Sequence, residues 1–294
     1  MMRPVLLLSV SLPLLLGGCG EKSSSEGSDL PTENPTAPSE DVKRVKEKQQ
    51  EVNTVNPNLR YETEGDAITI TDCDEGASGE MVIPTVIEGK SVTSIGDRAF
   101  QKCIKLTSAM IPDSVTSIGV GAFNTCSVTS IIFGGKNQLT SIGGDAFSNC
   151  PLLADITIPE SVTSIGPRAF DSCRNLTSIT IPDRVTRIGP GAFRDCISLT
   201  SITISEGVTS VGFRTFDRCR SLTSITIPDG VTSIGDNTFK ECSSLTTVVF
   251  LGDAPKAGEE VFEKSSPTIY RNPDAKGWGD TFAGRPVKLI SEKP

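Results

Sequence analysis

Residues Cys173–Cys196 read CRNLTSITIPDRVTRIGPGAFRDC, and close copies of this phrase begin at Cys196 and at Cys219. The phrase returns every 23 residues, so each apolar or polar position keeps its place from copy to copy. A fixed period of about 20–50 residues is typical of solenoids, in which a repeat buries its apolar face against its neighbours. The sequence therefore predicts a repeat solenoid, mostly β and loop.

Two columns of residues mark the register of the repeat. Both advance by 23 residues, except for one step of 24 that places an extra residue in Phe133–Leu139. We predict that both columns are structural core. The phenylalanine column contains Phe100, Phe123, Phe147, Phe170, Phe193, Phe216 and Phe239. The cysteine column contains Cys103, Cys126, Cys150, Cys173, Cys196, Cys219 and Cys242.

Each repeat contains three short segments. Ser178–Ile181 alternates polar and apolar residues, which predicts a half-buried strand that Pro182 ends. Val185–Gly189 predicts a second extended segment, with Gly189 allowing a backbone turn. Pro190–Phe193 suits one turn of helix or 3₁₀ helix that aims the ring inward. Stacked copies would form a parallel sheet, with coils about 4.8 Å apart.

The motifs Leu-x-x-Ile-x-Ile-Pro, Val-x-x-Ile-Gly and Ala-Phe-x-x-Cys resemble the BspA-like branch of the leucine-rich repeat superfamily. They are seen at Leu199–Cys219 and Leu222–Cys242, although Ser205 replaces the proline and Thr215 replaces the alanine. The resemblance implies a right-handed leucine-rich-repeat coil with a parallel β-sheet and short extended or 3₁₀ segments on the other side. Members of this family are bacterial and protist surface proteins often described as adhesins, which implies a non-enzymatic role.

The N-terminus has the features of an export signal. Arg3 precedes the apolar run Val5–Leu16, and Leu16–Cys19 resembles a bacterial lipobox. We predict a lipoprotein signal peptide over residues 1–18 and acylation of Cys19. An ordinary signal peptide and an uncleaved anchor are the alternatives. The protein would then be exported and lipid-anchored in the cell envelope, at the outer membrane or the cell surface.

Composition divides the rest of the chain. Residues 19–58 are rich in Ser, Glu, Pro and Lys and predict a disordered tether. Residues 59–90 predict an N-terminal cap with lead-in strands, residues 91–250 the leucine-rich repeat solenoid, and residues 251–294 a C-terminal cap. Caps are expected because an open last coil would expose core and unpaired strand edges.

Composition also limits the chemistry. The chain has no histidine, which removes a histidine general base, a Ser-His-Asp system and any His-containing zinc site. We predict no catalytic residue, no metal site and no cofactor. A carboxylate-based enzyme acting on polysaccharide remains a weaker alternative. The formal net charge of −8 argues against a nucleic-acid partner.

The cysteine column admits three interpretations: a disulfide framework, a metal site, or a ladder of buried thiols. Stacked cysteines in register would have Cβ atoms about 4.8 Å apart, beyond the ~3.5–4.5 Å of a disulfide. A straight file cannot surround a tetrahedral zinc ion. The ladder is therefore favoured, and Cys73 lies outside the column without an assigned role.

The outward positions of the strands form the candidate binding surface, together with arginines that differ between copies. These residues are Asp155, Thr157, Ser178, Thr180, Ser201, Thr203, Ser224, Thr226, Arg184, Arg187 and Arg194. A Ser/Thr ladder that merely favours β structure, and a rim of solvated salt bridges with the interleaved aspartates, are the alternatives.

The sequence thus predicts a cell-surface lipoprotein that binds an unknown protein or glycan and reaches the membrane only through its lipid. A structural spacer or self-associating protein of the cell envelope is the alternative function.

Overall fold

The computed structural model describes residues 56–293. This part of the chain is a β-solenoid of about nine turns, so the predicted solenoid of strand and loop is confirmed. The predicted signal peptide (1–18), the predicted lipidation site Cys19 and all but the last three residues of the predicted tether (19–58) lie outside the described residues. Between residues 56 and 293, no helix has the length and apolarity needed to cross a membrane.

An antiparallel hairpin begins the described chain. The first five strands are β1 (Leu59–Glu64), β2 (Ala67–Cys73), β3 (Gly79–Val82), β4 (Val86–Ile87) and β5 (Lys90–Ile95). β1 pairs with β2, and β2 lies parallel to β5 of the first coil. Ile68 and Ile70 of β2 are fully buried. The hairpin therefore covers the first end of the apolar stack, as a solenoid requires.

The next strands alternate between two sides of the coil. They are β6 (Leu106–Ile111), β7 (Ser117–Ile118), β8 (Ser130–Phe133), β9 (Ser141–Ile142), β10 (Asp155–Ile156), β11 (Ser164–Ile165), β12 (Ser178–Thr180), β13 (Arg187–Ile188), β14 (Ser201–Thr203), β15 (Ser210–Val211), β16 (Ser224–Ile227), β17 (Ser233–Ile234), β18 (Thr247–Phe250), β19 (Lys256–Ala257) and β20 (Thr268–Arg271). We call the even-numbered strands from β6 to β20, with β3, face A. We call the odd-numbered strands from β7 to β19, with β2 and β5, face B.

Proline limits the hydrogen-bond ladder of face A. Gly134 and Leu251 stand where most coils have proline, and their N–H groups donate to the previous coil at 3.0 Å. Proline has no N–H to donate. Accordingly, where Pro159 follows β10, the β8–β10 ladder has only two residue pairs. The ladder is interrupted between β10 and β12, where Pro182 lies after β12. It is also interrupted between β14 and β16, where Pro228 follows β16.

The third side of the coil consists of the Ala-Phe-x-x-Cys segments, which we call the turn side. Phe170 N–H donates to the Ala192 carbonyl of the next coil at 2.8 Å. Arg168 and Ser172 have φ of +54° and +62°, so the segment is a pair of tight turns and not the single helical turn suggested by the sequence. Equivalent positions in the other coils have the same left-handed backbone.

The phenylalanine rings fill the interior as one continuous stack. All seven predicted rings are 0% exposed. Neighbouring ring centroids are 4.7–5.7 Å apart, with planes within 14° of parallel. Phe262 extends this stack by one coil past residue 250, where we placed the end of the solenoid.

The cysteine column lies beside the rings and is equally buried. Each thiol from Cys126 to Cys242 donates a hydrogen bond to a phenylalanine carbonyl of the preceding coil, at 2.9–3.1 Å. Burial raises the pKa of Cys150 and of Cys242 to about 12. The thiols are free and remain protonated donors at neutral pH. The site accommodates a small, mostly apolar side chain that can donate one hydrogen bond, and a thiol meets both requirements.

The C-terminal end replaces the thiol with other donors. Ser265 Oγ donates to Phe239 O at 2.7 Å, and the Arg285 guanidinium donates to Phe262 O at 2.8 Å. The last elements are β21 (Thr281–Phe282), β22 (Arg285–Leu289) and a 3₁₀ helix (Ile290–Glu292). Trp278 packs against Phe250 and Phe282, with centroids 5.0 and 5.3 Å away, and closes this end.

Gly189 is required by close packing between coils. A Cβ added to this residue would lie 2.3 Å from the Pro167 nitrogen of the previous coil. The structure therefore differs from the expectation that Gly189 serves a turn of its own chain, because neighbouring backbones approach each other here and no positive φ is involved.

Removing one ring from the stack should unfold the solenoid more readily. We expect Phe193→Ala to lower the free energy of unfolding by about 3–5 kcal/mol, since the cavity lies between two other rings. Thr180→Ala is the control, because Thr180 is exposed on face A of the same coil. Denaturant unfolding of both variants measures the difference, and equal losses would contradict the inward placement of the ring.

Candidate interaction surface

Face A carries two rows of exposed polar side chains in its middle coils. On β12, Ser178 and Thr180 are exposed while Ile179 between them is buried. Ser201 and Thr203 pair directly with them on the next coil. The other predicted members of the rows are also exposed: Asp155, Thr157, Ser224 and Thr226. Within residues 56–293, these side chains form no hydrogen bond or ion pair, so their polar groups are free for a ligand.

Threonines that directly precede the strands of face A have hydrogen-bond partners, unlike the outward threonines on the strands. Thr200 Oγ1 donates to the Thr177 carbonyl at 3.0 Å, and Thr246 Oγ1 donates to the Thr223 carbonyl at 3.1 Å. These hydroxyls tie one coil to the next. The repeat therefore contains two kinds of threonine, one that stabilises the stack and one that faces outward unpaired.

A groove opens on face A at the coil with the extra residue. It has a volume of about 430 Å³ and is lined by residues 130–137 and 155–161. The half-buried Ile132 contributes apolar surface, and Lys136 and Glu160 contribute charge. The groove lies where the ladder between β8 and β10 is short, next to Pro159 and to the segment Phe133–Leu139 that contains the extra residue. The sequence signal for the groove is the 24-residue step, which by itself predicts only an extra residue.

A smaller depression continues beside this groove. It measures about 240 Å³ and brings together four of the predicted surface residues, which are Asp155, Thr157, Ser178 and Thr180. The two depressions share residues 155–158 and Glu160. The grooved surface and the hydroxyl rows therefore form one continuous candidate site on face A.

The three predicted arginines do not join this site as a group. Arg187 lies on β13 of face B, and Arg184 lies in the turn between the two faces. Arg194 lies on the turn side, where its Nε is 3.8 Å from the Asp171 carboxylate. Arg184 and Arg187 are exposed and have no ion-pair partner among the described residues.

Most other arginines of the middle coils belong to ion pairs along the turn side. Arg168 lies 3.0 Å from Asp145, and Arg174 lies 3.2 Å from Asp195. A hydrogen bond from Lys264, with help from Arg220 and Arg218, lowers the pKa of Glu241. Exposed pairs of this kind stabilise a fold by only about 0–1 kcal/mol each. This side is therefore a solvated rim, which was the alternative interpretation of the arginines.

A row of carboxylates borders face A. Its members are exposed, occupy the same position in four coils and form no ion pair within the described chain: Glu160, Asp183, Glu206 and Asp229. Their spacing is that of the repeat, so it singles out no two of them as a catalytic pair. Residues 56–293 hold no cluster of three or more acidic, cysteine or histidine side chains that could bind a metal ion.

The sequence profile of the BspA type leucine rich repeat region, in six copies, matches residues 82–196 and 163–271. The chain belongs to this family. The BspA type repeats thus extend over the coils of faces A and B and past Phe262, consistent with the length of the ring stack. No curated protein matches the chain.

Solved structures of leucine-rich repeat proteins resemble this BspA type protein. The T. pallidum leucine rich repeat protein is 31% identical over 65% of this chain and 91% of its own, with a TM-score of 0.59. A leucine-rich repeat protein from Bacteroides ovatus is 23% identical over 82% of this chain and 77% of its own, with a TM-score of 0.56. The second likeness concerns the fold alone.

The two kinds of threonine should differ in their effect on stability. We expect Thr200→Val to lower the free energy of unfolding by about 1 kcal/mol, because the Thr177 carbonyl loses its hydroxyl donor. Thr203→Val should leave it nearly unchanged, since the Thr203 hydroxyl has no partner in the described chain. Thermal melts of the two variants test this, and a larger loss for Thr203→Val would refute the distinction.

Proposed function

We propose that this chain is an exported, lipid-anchored recognition protein without enzymatic activity, which binds another protein or a glycan through face A. The observation that carries the proposal is the pair of exposed rows at Ser178, Thr180, Ser201 and Thr203, whose hydroxyls have no partner within residues 56–293. A hydroxyl both donates and accepts hydrogen bonds, so these rows suit polar ligands.

The backbone supports this function by holding the hydroxyls in place before a ligand arrives. Strand pairing fixes Thr180 beside Thr203, at a coil spacing of about 4.8 Å. A ligand that matches this spacing gains several contacts and orders few side chains. Preorganisation of this kind raises affinity by lowering the entropic cost of binding.

The groove adjoining Asp155 and Thr157 supplies the apolar part of the proposed site. The half-buried Ile132 can contact a sugar ring or an apolar side chain, while the charged groups of Lys136 and Glu160 at the rim can pair with charges on the ligand. Small binding sites typically combine an apolar floor with a few polar groups. The groove lies between the coils of β8 and β10, so it would fix the position of a ligand along the repetitive rows.

The proposed location rests on the N-terminal sequence. Arg3, the apolar run and the lipobox-like Leu16–Cys19 favour export and acylation of Cys19. Residues 19–58, as a charged and polar tether, would hold the solenoid away from the outer membrane or cell surface. This location would present face A to molecules outside the cell.

A binding screen with two matched variants tests the proposal. The full chain is applied to a glycan array and to immobilised extracellular-matrix proteins. For a ligand found there, Thr203→Glu on face A should weaken binding by about tenfold or more, equivalent to about 1.4 kcal/mol. Thr209→Glu is the control, because Thr209 is exposed on the same coil beside face B.

Two results would contradict the proposal. If neither the glycan array nor the immobilised matrix proteins bind the chain, a structural spacer becomes the better-supported function. If Thr203→Glu and Thr209→Glu weaken binding equally, the ligand does not use face A. Arg184→Glu and Arg187→Glu then test whether the unpaired arginines on and beside face B carry the contact.

A further inference from the structure

The first cysteine of the column has a different environment from the rest. From Cys126 onward, each thiol donates to a phenylalanine carbonyl of the preceding coil at 2.9–3.1 Å. The turn before Cys103 has no such phenylalanine. The nearest acceptors of Cys103 Sγ are the carbonyls of Cys73 and Asp74, at the longer distances of 3.8 and 3.9 Å.

Cys73 supplies one of these two acceptors. It is the last residue of β2 in the N-terminal hairpin, and its sulfur lies 3.8 Å from the same Asp74 carbonyl. Both sulfurs therefore lie within 4 Å of one carbonyl oxygen, which brings the two thiols together. Both side chains are buried, at 3% and 0% exposure. Among the described cysteines, only this pair shares a hydrogen-bond acceptor, whereas each thiol from Cys126 to Cys242 has a carbonyl of its own.

We propose that Cys73 and Cys103 form a disulfide that joins the N-terminal hairpin to the first coil. The oxidant is a low-molecular-weight or protein disulfide, such as oxidised glutathione. The thiolate of one of the two cysteines attacks it, releases one donor thiolate and forms a mixed disulfide. The thiolate of the other cysteine then attacks the protein sulfur of the mixed disulfide and releases the second donor thiolate. Two protons pass from the cysteines to the two released thiolates, and the donor disulfide is reduced as the protein is oxidised.

The exchange requires that both sulfurs be accessible to the donor disulfide. The thiolate is the nucleophile in disulfide exchange. Because both sulfurs are buried in the folded protein, the exchange takes place during folding, before the hairpin closes over the stack.

Disulfides among the other cysteines do not fit the folded protein. Each thiol from Cys126 to Cys242 donates to a phenylalanine carbonyl of the preceding coil, which fixes its position in the column. Their positions along the stack are one coil apart, about 4.8 Å, whereas a disulfide needs Cβ atoms within ~3.5–4.5 Å. The column therefore stays reduced while its first member pairs with the hairpin.

The bond would secure the N-terminal end of the solenoid. Cys73 and Cys103 are 30 residues apart, and closing a loop of this length restricts the unfolded chain considerably. Terminal repeats of a solenoid contact only one neighbour, so a covalent bond there opposes fraying. Disulfides persist in oxidising compartments, which suits an exported protein, but the bond can be tested without knowing the location.

Peptide mapping tests the proposal directly. The full chain is refolded with reduced and oxidised glutathione, and free thiols are blocked with N-ethylmaleimide in denaturant, because the described thiols are buried. The protein is then digested with trypsin without reduction. Cys73 lies in the tryptic peptide Tyr61–Lys90 and Cys103 in the tripeptide Cys103–Lys105. Mass spectrometry should find these two peptides linked, with the peptides of the other column cysteines alkylated.

A thermal melt gives a second measurement that does not depend on mapping. Reduction with dithiothreitol should lower the melting temperature of the refolded wild-type chain by about 5 °C or more. Cys73→Ser should show no such shift, while the control Cys196→Ser should keep it. Full alkylation of both cysteines after oxidative refolding, or linkage of either one to a different cysteine, would overturn the proposal.

Discussion

The fold depends on the contact between successive Phe–Cys corners. At one corner, Phe193 N–H donates to the Thr215 carbonyl at 3.0 Å, and Cys219 Sγ donates back to the Phe193 carbonyl at 3.1 Å. The rings of Phe193 and Phe216 stack with centroids 5.7 Å apart. Each coil thus supplies the polar partners and the apolar cover that its neighbour lacks, which makes the solenoid a one-dimensional assembly.

This constraint separates positions that must repeat from positions that can vary. Phe, Cys and the close-packed Gly189 face the neighbouring coil, and larger or differently shaped residues would not fit there. Outward positions such as Thr180 and Thr203 do not support the stack. The one coil with an extra residue opens the groove near Ile132. Departures from the repeat are therefore where a distinct ligand site can arise on a regular surface.

Much of this architecture was predictable because the repeat shows directly which side chains are buried. Alternation in Ser178–Ile181 indicated which side chains face inward, and the period gave the parallel stacking. The role of cysteine as a hydrogen-bond donor was not predictable, since it depends on a carbonyl 26 residues earlier in the chain. The left-handed backbone at Arg168 and Ser172 was equally hidden, because the residues at these positions vary between copies.

The candidate site was predicted only in part. The hydroxyl rows followed from strand alternation, but the groove required the path of the loop after Phe133. Grouping Arg184, Arg187 and Arg194 overlooked a signal in the sequence. These arginines occur at three different positions within one repeat, so they were bound to lie on different parts of the coil surface.

Deletion of one complete coil tests the neighbour-to-neighbour account most directly. Removing residues 174–196 joins Cys173 to Ile197 and leaves every other coil with its normal sequence. We expect this chain to fold with a cooperative melt and β-rich circular dichroism, because Phe170 can stack on Phe216 once the intervening ring is gone. Removing only residues 174–185 breaks the register and should abolish the cooperative melt. If the whole-coil deletion fails to fold, or the half-coil deletion melts as cooperatively as the intact chain, the stacking of equivalent coils is not what holds this protein together.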